Sequence, residues 1–340
     1  MLVKRIVNSV LVAIGLLLLS VIIFYFLAGS ENYDEFEHSS ILEYDTNADL
    51  PVTDTFRAIT YNIGYLSGMN NNRAVKTDPQ QYVENLKGAI SLLKDDKIAI
   101  VGFQEIDFLS NRSLFMNQMD SIAVHGGYGF GAMAVNWDKR YVPFPYWPPS
   151  VQFGQIFSGQ AILSKFPIHT TKRVVMPKPK DNPFYYNAFY IDRLVQIVET
   201  EIRGRVMTVM NVHLEAYDRS AREIQAGILK SLVEKYVNQN PLLLIGDLNC
   251  SPPYPQGAVD EMTIATLLEI DGLESAISMD DYLESPQKHF TYPSDGPRVK
   301  LDYIFYNSKY VRKIASGTLH EAGKLSDHLP VYFDFVLLDK

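Results

Sequence analysis

The sequence predicts a layered α/β domain preceded by one N-terminal transmembrane helix, and three observations carry that expectation. From Thr55 onward, short apolar runs alternate with polar loops and with two segments of helical periodicity, the pattern of buried strands fed by packed helices. No second break in composition and no internal repeat interrupts this stretch, so it reads as one domain. Ahead of it stands an uncharged run, residues 6–28.

That run has 23 residues, and as a helix it would span about 35 Å, enough for a bilayer core. Lys4 and Arg5 precede it, and this basic bias places the N-terminus in the cytoplasm and everything after residue 30 outside. Ala28-Gly29-Ser30 also suits a signal-peptidase site, so a cleaved signal peptide is the competing reading. The apolar run exceeds the roughly 7–15 residues of a usual signal core, which favours an uncleaved anchor. The expected organisation is a cytoplasmic stub over 1–5, an anchor over 6–28, a juxtamembrane linker over 29–54 and one domain over 55–340. The linker is polar and acidic, with Glu31, Asp34, Glu35, Glu37 and Pro51.

Within the domain, strands are expected at 56–63, 98–103, 160–163, 194–198, 206–212, 242–245, 301–305 and 331–335, all short and apolar. Asp78 and Pro79 supply an N-cap and a first-turn proline for a helix whose inner face is Tyr82, Leu86, Ala89, Ile90 and Leu93. Ser220 and Glu223 suggest a capping box for a second helix, with Ile224, Ile228, Leu229, Leu232, Val233 and Tyr236 at helical spacing.

The chain has 340 residues, of which 47% are hydrophobic and 21% charged; it can bury a large core and is neither disordered, collagenous nor a coiled coil. Its 31 basic and 39 acidic residues leave a net charge of −8, which argues against a general positive field for holding nucleic acid. A single cysteine, Cys250, forbids an intramolecular disulfide and reads as structural.

Function is legible in where the polar residues fall. Asn62 ends one expected strand and Gln104-Glu105 another; Asn211 and His213 end a third, and Asp247 and Asn249 a fourth, as GDLN. Asp302 sits in LDYIF, and Ser326-Asp327-His328 opens the last strand as SDHLPV. One polar strand end is ordinarily a cap or a loop residue. Six in one domain, brought to one rim by neighbouring strands, point to a site.

In this order the motifs resemble the endonuclease/exonuclease/phosphatase superfamily of metal-dependent hydrolases, over about residues 55–338. The resemblance implies a four-layered α/β sandwich of two packed β-sheets flanked by helices, and makes 55–340 a catalytic domain. It implies Mg²⁺ or Mn²⁺ held by Glu105, with Asn62 giving an amide oxygen or a water-mediated contact and Asp327 completing the shell; hard oxygen donors suit these ions. Asp247 would orient or deprotonate the attacking water and Asn249 would hold a phosphate oxygen. His328 would contact phosphate or act as base, with Asp302 fixing its tautomer. His213, in NVHL, is similar to the NTHL form of the sphingomyelinase, inositol phosphatase, DNase I and deadenylase-like branches, and differs from the abasic endonucleases.

The expectation is therefore a membrane-anchored phosphoester hydrolase, a phosphodiesterase or phosphatase, acting outside the cytoplasm on phospholipid or sphingolipid headgroups or on other extracytoplasmic phosphoesters. An extracytoplasmic nuclease is the second reading, and a catalytically inactive binding module a third of another class. The stretch 140–159 carries Tyr141, Phe144, Tyr146, Trp147, Phe153 and Phe157 among prolines. It is expected to be an arm packed on the domain or an aromatic lip at the substrate side, and neither a helix nor a central strand. Lys178 and Lys180 read as a solvated basic loop, and Arg219 and Arg222 as surface or helix-packing residues.

Overall fold

A computed structural model describes residues 2–45, 53–254 and 262–338. Two mixed sheets face each other. The first runs in spatial order β1 (Ser39–Glu43), β4 (Phe130–Val142), β5 (Gly154–Ser164), β3 (Ile98–Asp107), β2 (Phe56–Asn62), β13 (Val331–Leu337) and β12 (Val311–Thr318). The second runs β10 (Leu273–Ser275), β11 (Asp302–Asn307), β9 (Leu242–Asp247), β8 (Arg205–His213), β7 (Arg193–Ile202) and β6 (Ile168–Met176).

The strand pleat sorts side chains into layers. In β9, Leu243 and Ile245 face the space between the sheets, while Leu242 and Leu244 face the outside of their own sheet. In β2, Ala58 faces inward, while Ile59 and Tyr61 face the opposite way. The inter-sheet core gathers Ala58, Ile100, Ile162, Val209, Ile245, Ile304 and Phe333. Helix α2 (Pro79–Leu93) and helix α3 (Gln118–Gly126) cover the first sheet through Leu86, Ala89, Leu93, Met119 and Ile122. Farther along the chain, α4 (Phe184–Asn187) lies in the connection from β6 to β7. Helix α5 (Arg219–Tyr236) and helix α6 (Thr263–Leu268) cover the second sheet through Leu229, Val233, Ile264 and Leu267. These three interlayer spaces make the four-layered sandwich that the motifs implied.

Asp78 caps α2 by accepting from the Gln80 N–H, as expected. The second helix differs. It starts at Arg219, and its cap is Asp218, whose carboxylate accepts from the Ala221 N–H. Glu223, expected to close a box on Ser220, instead accepts from Arg219 Nε at 3.0 Å, and Ile224 faces solvent.

Two further expectations are corrected. Part of the presumed linker is sheet: Ser39–Glu43 pairs antiparallel with β4 as an edge strand, while its 46–52 portion, with Pro51, lies outside the described residues. The stretch 140–159 is expected to hold no central strand, but its ends belong to β4 and β5, and β5 is a central strand. Its four prolines fall in the connection between those strands, where no ladder N–H is needed. Phe153 and Phe157 are buried, whereas Tyr146 and Trp147 are exposed.

Helix α1 (Leu2–Gly29) has no part of its most apolar window buried, and it is long and apolar enough to cross a membrane. It is nevertheless fixed to the sandwich at its C-terminal end. Asp138 on β4 accepts from the backbone N–H groups of Asn32 and Tyr33 at 2.9 and 3.0 Å and lies 3.2 Å from the buried His38 ring. Arg140 N–H donates to the Ser30 carbonyl at 2.9 Å. The segment leaving the helix is thus a brace rather than a flexible tether.

Candidate active site

Strand pairing builds the site. Strands β8 and β9 are parallel with His213 opposite Asp247, and β11 runs antiparallel to β9 with Asp302 opposite the same Asp247. One rim of the second sheet therefore presents His213, Asp247 and Asp302 in a row. In the first sheet the parallel pair β2 and β3 aligns Asn62 with Gln104, and a bulge follows between Phe103 and Ile106. At that bulge Glu105 takes φ +53°, a left-handed conformation costing a non-glycine residue roughly 1–2 kcal/mol. The bulge turns Glu105 toward the cavity while Gln104 stays inside. Gly64, at φ +52°, closes the turn after Asn62, where a Cβ would meet Asp327 Oδ1 at 2.7 Å. Ser326 Oγ donates to the Asn62 carbonyl at 2.8 Å and fastens the loop carrying Asp327 and His328 over this turn.

All eight expected residues converge. Glu105, His213, Asp247, Asn249, Asp327 and His328 line one cavity of about 840 Å³, and Asn62 and Asp302 stand immediately behind it. His328 Nδ1 lies 2.9 Å from Asp302 Oδ2, leaving Nε2 to face Asp247 Oδ2 at 3.8 Å. His213 Nε2 lies 3.6 Å from the same Asp247 oxygen and 3.9 Å from Glu105 Oε1. Asp247 Oδ1 accepts from the Asn249 N–H at 2.9 Å, and the Asn249 amide donates to the Leu214 carbonyl at 3.1 Å. That leaves a second amide hydrogen on Asn249.

The charges are set against one another. Burial, reinforced by Asp327, raises the pKa of Glu105. Burial and the neighbouring Asp302 do the same for Asp247. Burial opposes charge on His328, but Asp302, Asp247 and Asp327 outweigh it and hold its pKa well above the ordinary histidine value. His213 goes the other way: burial, Arg193 and His328 push it well below, so it is neutral near pH 7.

The donors fit a hard divalent cation. Glu105 and Asp327 both converge on the Asn71 amide, at 2.9 Å for Glu105 Oε2 and 3.3 Å for each Asp327 oxygen. Two carboxylates repelling each other across one neutral amide group is an arrangement that a cation relieves. Ligand atoms of Asp247, Asp302 and His328 also lie within 4.8 Å of one another. That trio already has an internal bond, His328 Nδ1 to Asp302, so its imidazole nitrogen on that side is committed.

Asn62, expected to give a metal its amide oxygen or a water-mediated contact, makes two hydrogen bonds at the rim. Its Oδ1 accepts from the Gly64 N–H at 3.1 Å, and its Nδ2 donates to Asp247 Oδ2 at 2.9 Å, so it steadies Asp247. Gln104 and Asn211, which looked like rim residues, are not in the cavity. Gln104 Nε2 donates to Asn211 Oδ1 at 2.6 Å, in a buried polar link between the sheets. Lys178 is not a solvated basic residue, since it donates to the Asn187 and Tyr190 carbonyls.

Three contributors were missed. Asn71 lies in the loop after β2, where nothing in a run of three asparagines marks one as special. Tyr292 places its ring 4.9 Å from the His328 ring. Arg193 lines the cavity while only 4% exposed, and its Nε and Nη1 have no hydrogen-bond partner among the described residues. Its Nε is 3.5 Å from Glu215 Oε2, while Glu215 Oε1 takes the Tyr190 hydroxyl and the Tyr217 N–H. The expected strand began at Leu194, one residue too late. Because β7 runs antiparallel to β8, the start of β7 lies at the rim where β8 ends.

With this geometry in place, comparison with known proteins is informative. The family model described as Endonuclease/Exonuclease/phosphatase family matches residues 59–328. No curated protein matches the sequence. Among solved structures the chain is similar to an endonuclease/exonuclease/phosphatase from Bacteroides vulgatus, with 17% identity and a TM-score of 0.56 over 84% of this chain and 99% of that one. It is similar to the human Nocturnin catalytic domain, solved with a bound sulfate anion, at 18% identity and a TM-score of 0.57, covering 89% and 98% of the two chains. A mannosyl-6-phosphatase from Bacteroides thetaiotaomicron aligns at 13% identity and a TM-score of 0.55, over 83% of this chain and 99% of that one. At such identities the likeness establishes the fold.

Proposed function

The chain belongs to the endonuclease/exonuclease/phosphatase family, and from that premise we propose that it is a divalent-metal-dependent phosphoester hydrolase, held in a membrane by α1 and acting outside the cytoplasm on phosphorylated lipid headgroups. The observation that carries the reading is the pairing of the Glu105 and Asp327 carboxylates beside Asp247, His213, His328 and Arg193 in one cavity.

Glu105 and Asp327 would hold Mg²⁺ or Mn²⁺, which supplies charge neutralisation for a phosphoryl group and its leaving oxygen. Asp247, steadied by Asn62 and the Asn249 N–H, is the base that takes the proton of the attacking water. His328 cannot share that task while Asp302 holds its Nδ1 and three carboxylates favour its cation, so Nε2 donates to a phosphoryl oxygen. The second amide hydrogen of Asn249 and the neutral His213 ring face the same group.

Arg193 serves as a further anion contact, because its guanidinium carries the one lysine or arginine charge among the described residues that line the cavity. Arg193→Gln is therefore expected to raise KM at least about tenfold, the loss of one charge-assisted hydrogen bond. A change in kcat alone, with KM at the wild-type value, would count against this role.

The reading is tested by offering phospholipids, sphingolipids, sugar phosphates, DNA and RNA to the purified full-length chain, and to the outside of intact cells carrying it. Expected are headgroup or phosphate release in both settings, its abolition by EDTA and its restoration by Mg²⁺ or Mn²⁺. Turnover that survives EDTA, or none on any phosphoester, overturns the enzyme reading. Activity confined to broken cells overturns the orientation, and degradation of DNA or RNA with no lipid product selects the nuclease.

A further inference from the structure

The cavity does not stop at the polar centre. Its lining includes, with Glu105, Asp327 and His328, also Val142, Phe144 and Tyr146 around the connection from β4 to β5, Tyr186, Phe189 and Tyr190 from the connection from β6 to β7, and Val21, Phe24 and Tyr25 of α1. The membrane helix is thus part of the wall of the active-site cavity.

The contact is built, not incidental. The Phe24 ring meets Tyr141 of β4 at 5.9 Å, and Tyr25 meets Phe184 and Phe189 at 6.3 and 5.8 Å. The Asp138 brace then fixes the chain directly after the helix. Val21 lies eight residues before Gly29, the last residue of α1, or about 12 Å along the axis. If α1 crosses a bilayer, that depth is below the headgroups, where the neighbouring molecules are lipid chains. Tyr146, Trp147, Phe184 and Tyr185, exposed by 65%, 78%, 77% and 59%, are large aromatic side chains left uncovered in the two connections that line the same cavity as α1. Aromatic residues of this kind settle at membrane interfaces.

We propose that the groove between α1 and these aromatic walls holds the hydrocarbon chain of a membrane lipid phosphoester, whose phosphate reaches the centre at Glu105, Asp327 and His328 without the lipid leaving the bilayer. This rests on the phosphoester reading above and adds to it that the anchor is a substrate-binding element. A phosphoryl group would fill a small part of 840 Å³, and the remainder is lined by apolar and aromatic side chains. A nucleic acid would need several cations along that path. Arg193 is the only lysine or arginine among the described lining residues.

The test uses the full-length chain in phosphatidylcholine nanodiscs with Mg²⁺ and three chromogenic diesters, methyl, butyl and octyl p-nitrophenyl phosphate, below their micellar concentrations. A chain in the groove should raise kcat/KM at least about tenfold from methyl to octyl, since each buried methylene contributes favourably. Val21→Trp, which fills the groove, should bring the octyl-to-methyl ratio down toward one. Tyr146→Ser, at an exposed lining residue outside α1, should lower it too, and decides the matter if Val21→Trp does not fold. Leu17→Trp, one turn nearer the N-terminus and outside the cavity lining, should keep the wild-type ratio. Equal ratios in wild type, Val21→Trp and Tyr146→Ser overturn the proposal, because octyl preference would then reflect only partitioning into the bilayer. Efficient disulfide dimers of Val21→Cys in vesicles overturn it in favour of a second copy of α1 in the groove. Failure of the folded wild type to hydrolyse any of the diesters, or their monoester counterpart p-nitrophenyl phosphate, strikes the phosphoester reading instead.

Discussion

Glu105→Gln should reduce kcat by at least about a thousandfold on every accepted substrate, a loss of roughly 4 kcal/mol of transition-state stabilisation. The substitution keeps the shape of the side chain and removes one of two carboxylates that converge on Asn71. It should not unfold the protein. Burial and Asp327 raise the pKa of Glu105, so without a cation the ionised form is disfavoured in the folded state. Stability contributed by a raised carboxylate pKa is present at low pH and is lost as pH rises through the folded value. At neutral pH the metal-free Gln variant should therefore melt at or above the wild-type temperature. The wild type should gain stability on adding Mg²⁺, about 2.7 kcal/mol at a hundred times the dissociation constant, and the variant should gain much less. Calorimetry with and without Mg²⁺ separates the two effects. A variant keeping more than about a tenth of wild-type kcat at saturating Mg²⁺, a loss below ~1.4 kcal/mol, removes Glu105 from the metal shell.

Much of this arrangement is legible in the amino-acid sequence, and what is not legible has physical causes. Strands such as Leu242–Asp247 are buried on both faces, with successive side chains entering different cores, so apolar runs located strands well and their polar ends located the rim. The edge strand Ser39–Glu43 carries no such signal, because it has one neighbour and no fully buried face; its identity comes from β4 and not from its own residues. Ser220 and Glu223 matched a capping pattern, yet Asp218 lies two residues earlier and its carboxylate took the free N–H of Ala221. Arg193 stands at the beginning of a strand, and a search of strand ends overlooks it, although antiparallel pairing brings beginnings to the same rim. No periodicity reports the angle at which α1 leaves the sandwich. That angle depends on Asp138 gathering Asn32, Tyr33 and His38, residues 100 to 106 positions away in sequence.

Asp302→Asn should cut kcat by about a hundredfold or more with little change in KM, because the carboxylate touches His328 and not the cavity. Asp302 holds Nδ1 at 2.9 Å and contributes to keeping the imidazole charged against the cost of burial. If His328 acts as a cation toward a phosphoryl oxygen, activity falls as pH rises through its pKa. Removing the Asp302 charge lowers that pKa, so the alkaline limb of the kcat profile should move to lower pH. His328→Ala alone should be at least as damaging, and adding Asp302→Asn to it should cost nothing further, since the carboxylate acts only through the ring. A merely structural Asp302 would lower the melting temperature and leave the alkaline limb in place. Additive losses in the double-mutant cycle would separate Asp302 from His328 and leave the imidazole without the partner that commits it to donation, returning it to competition with Asp247 for the proton of the attacking water.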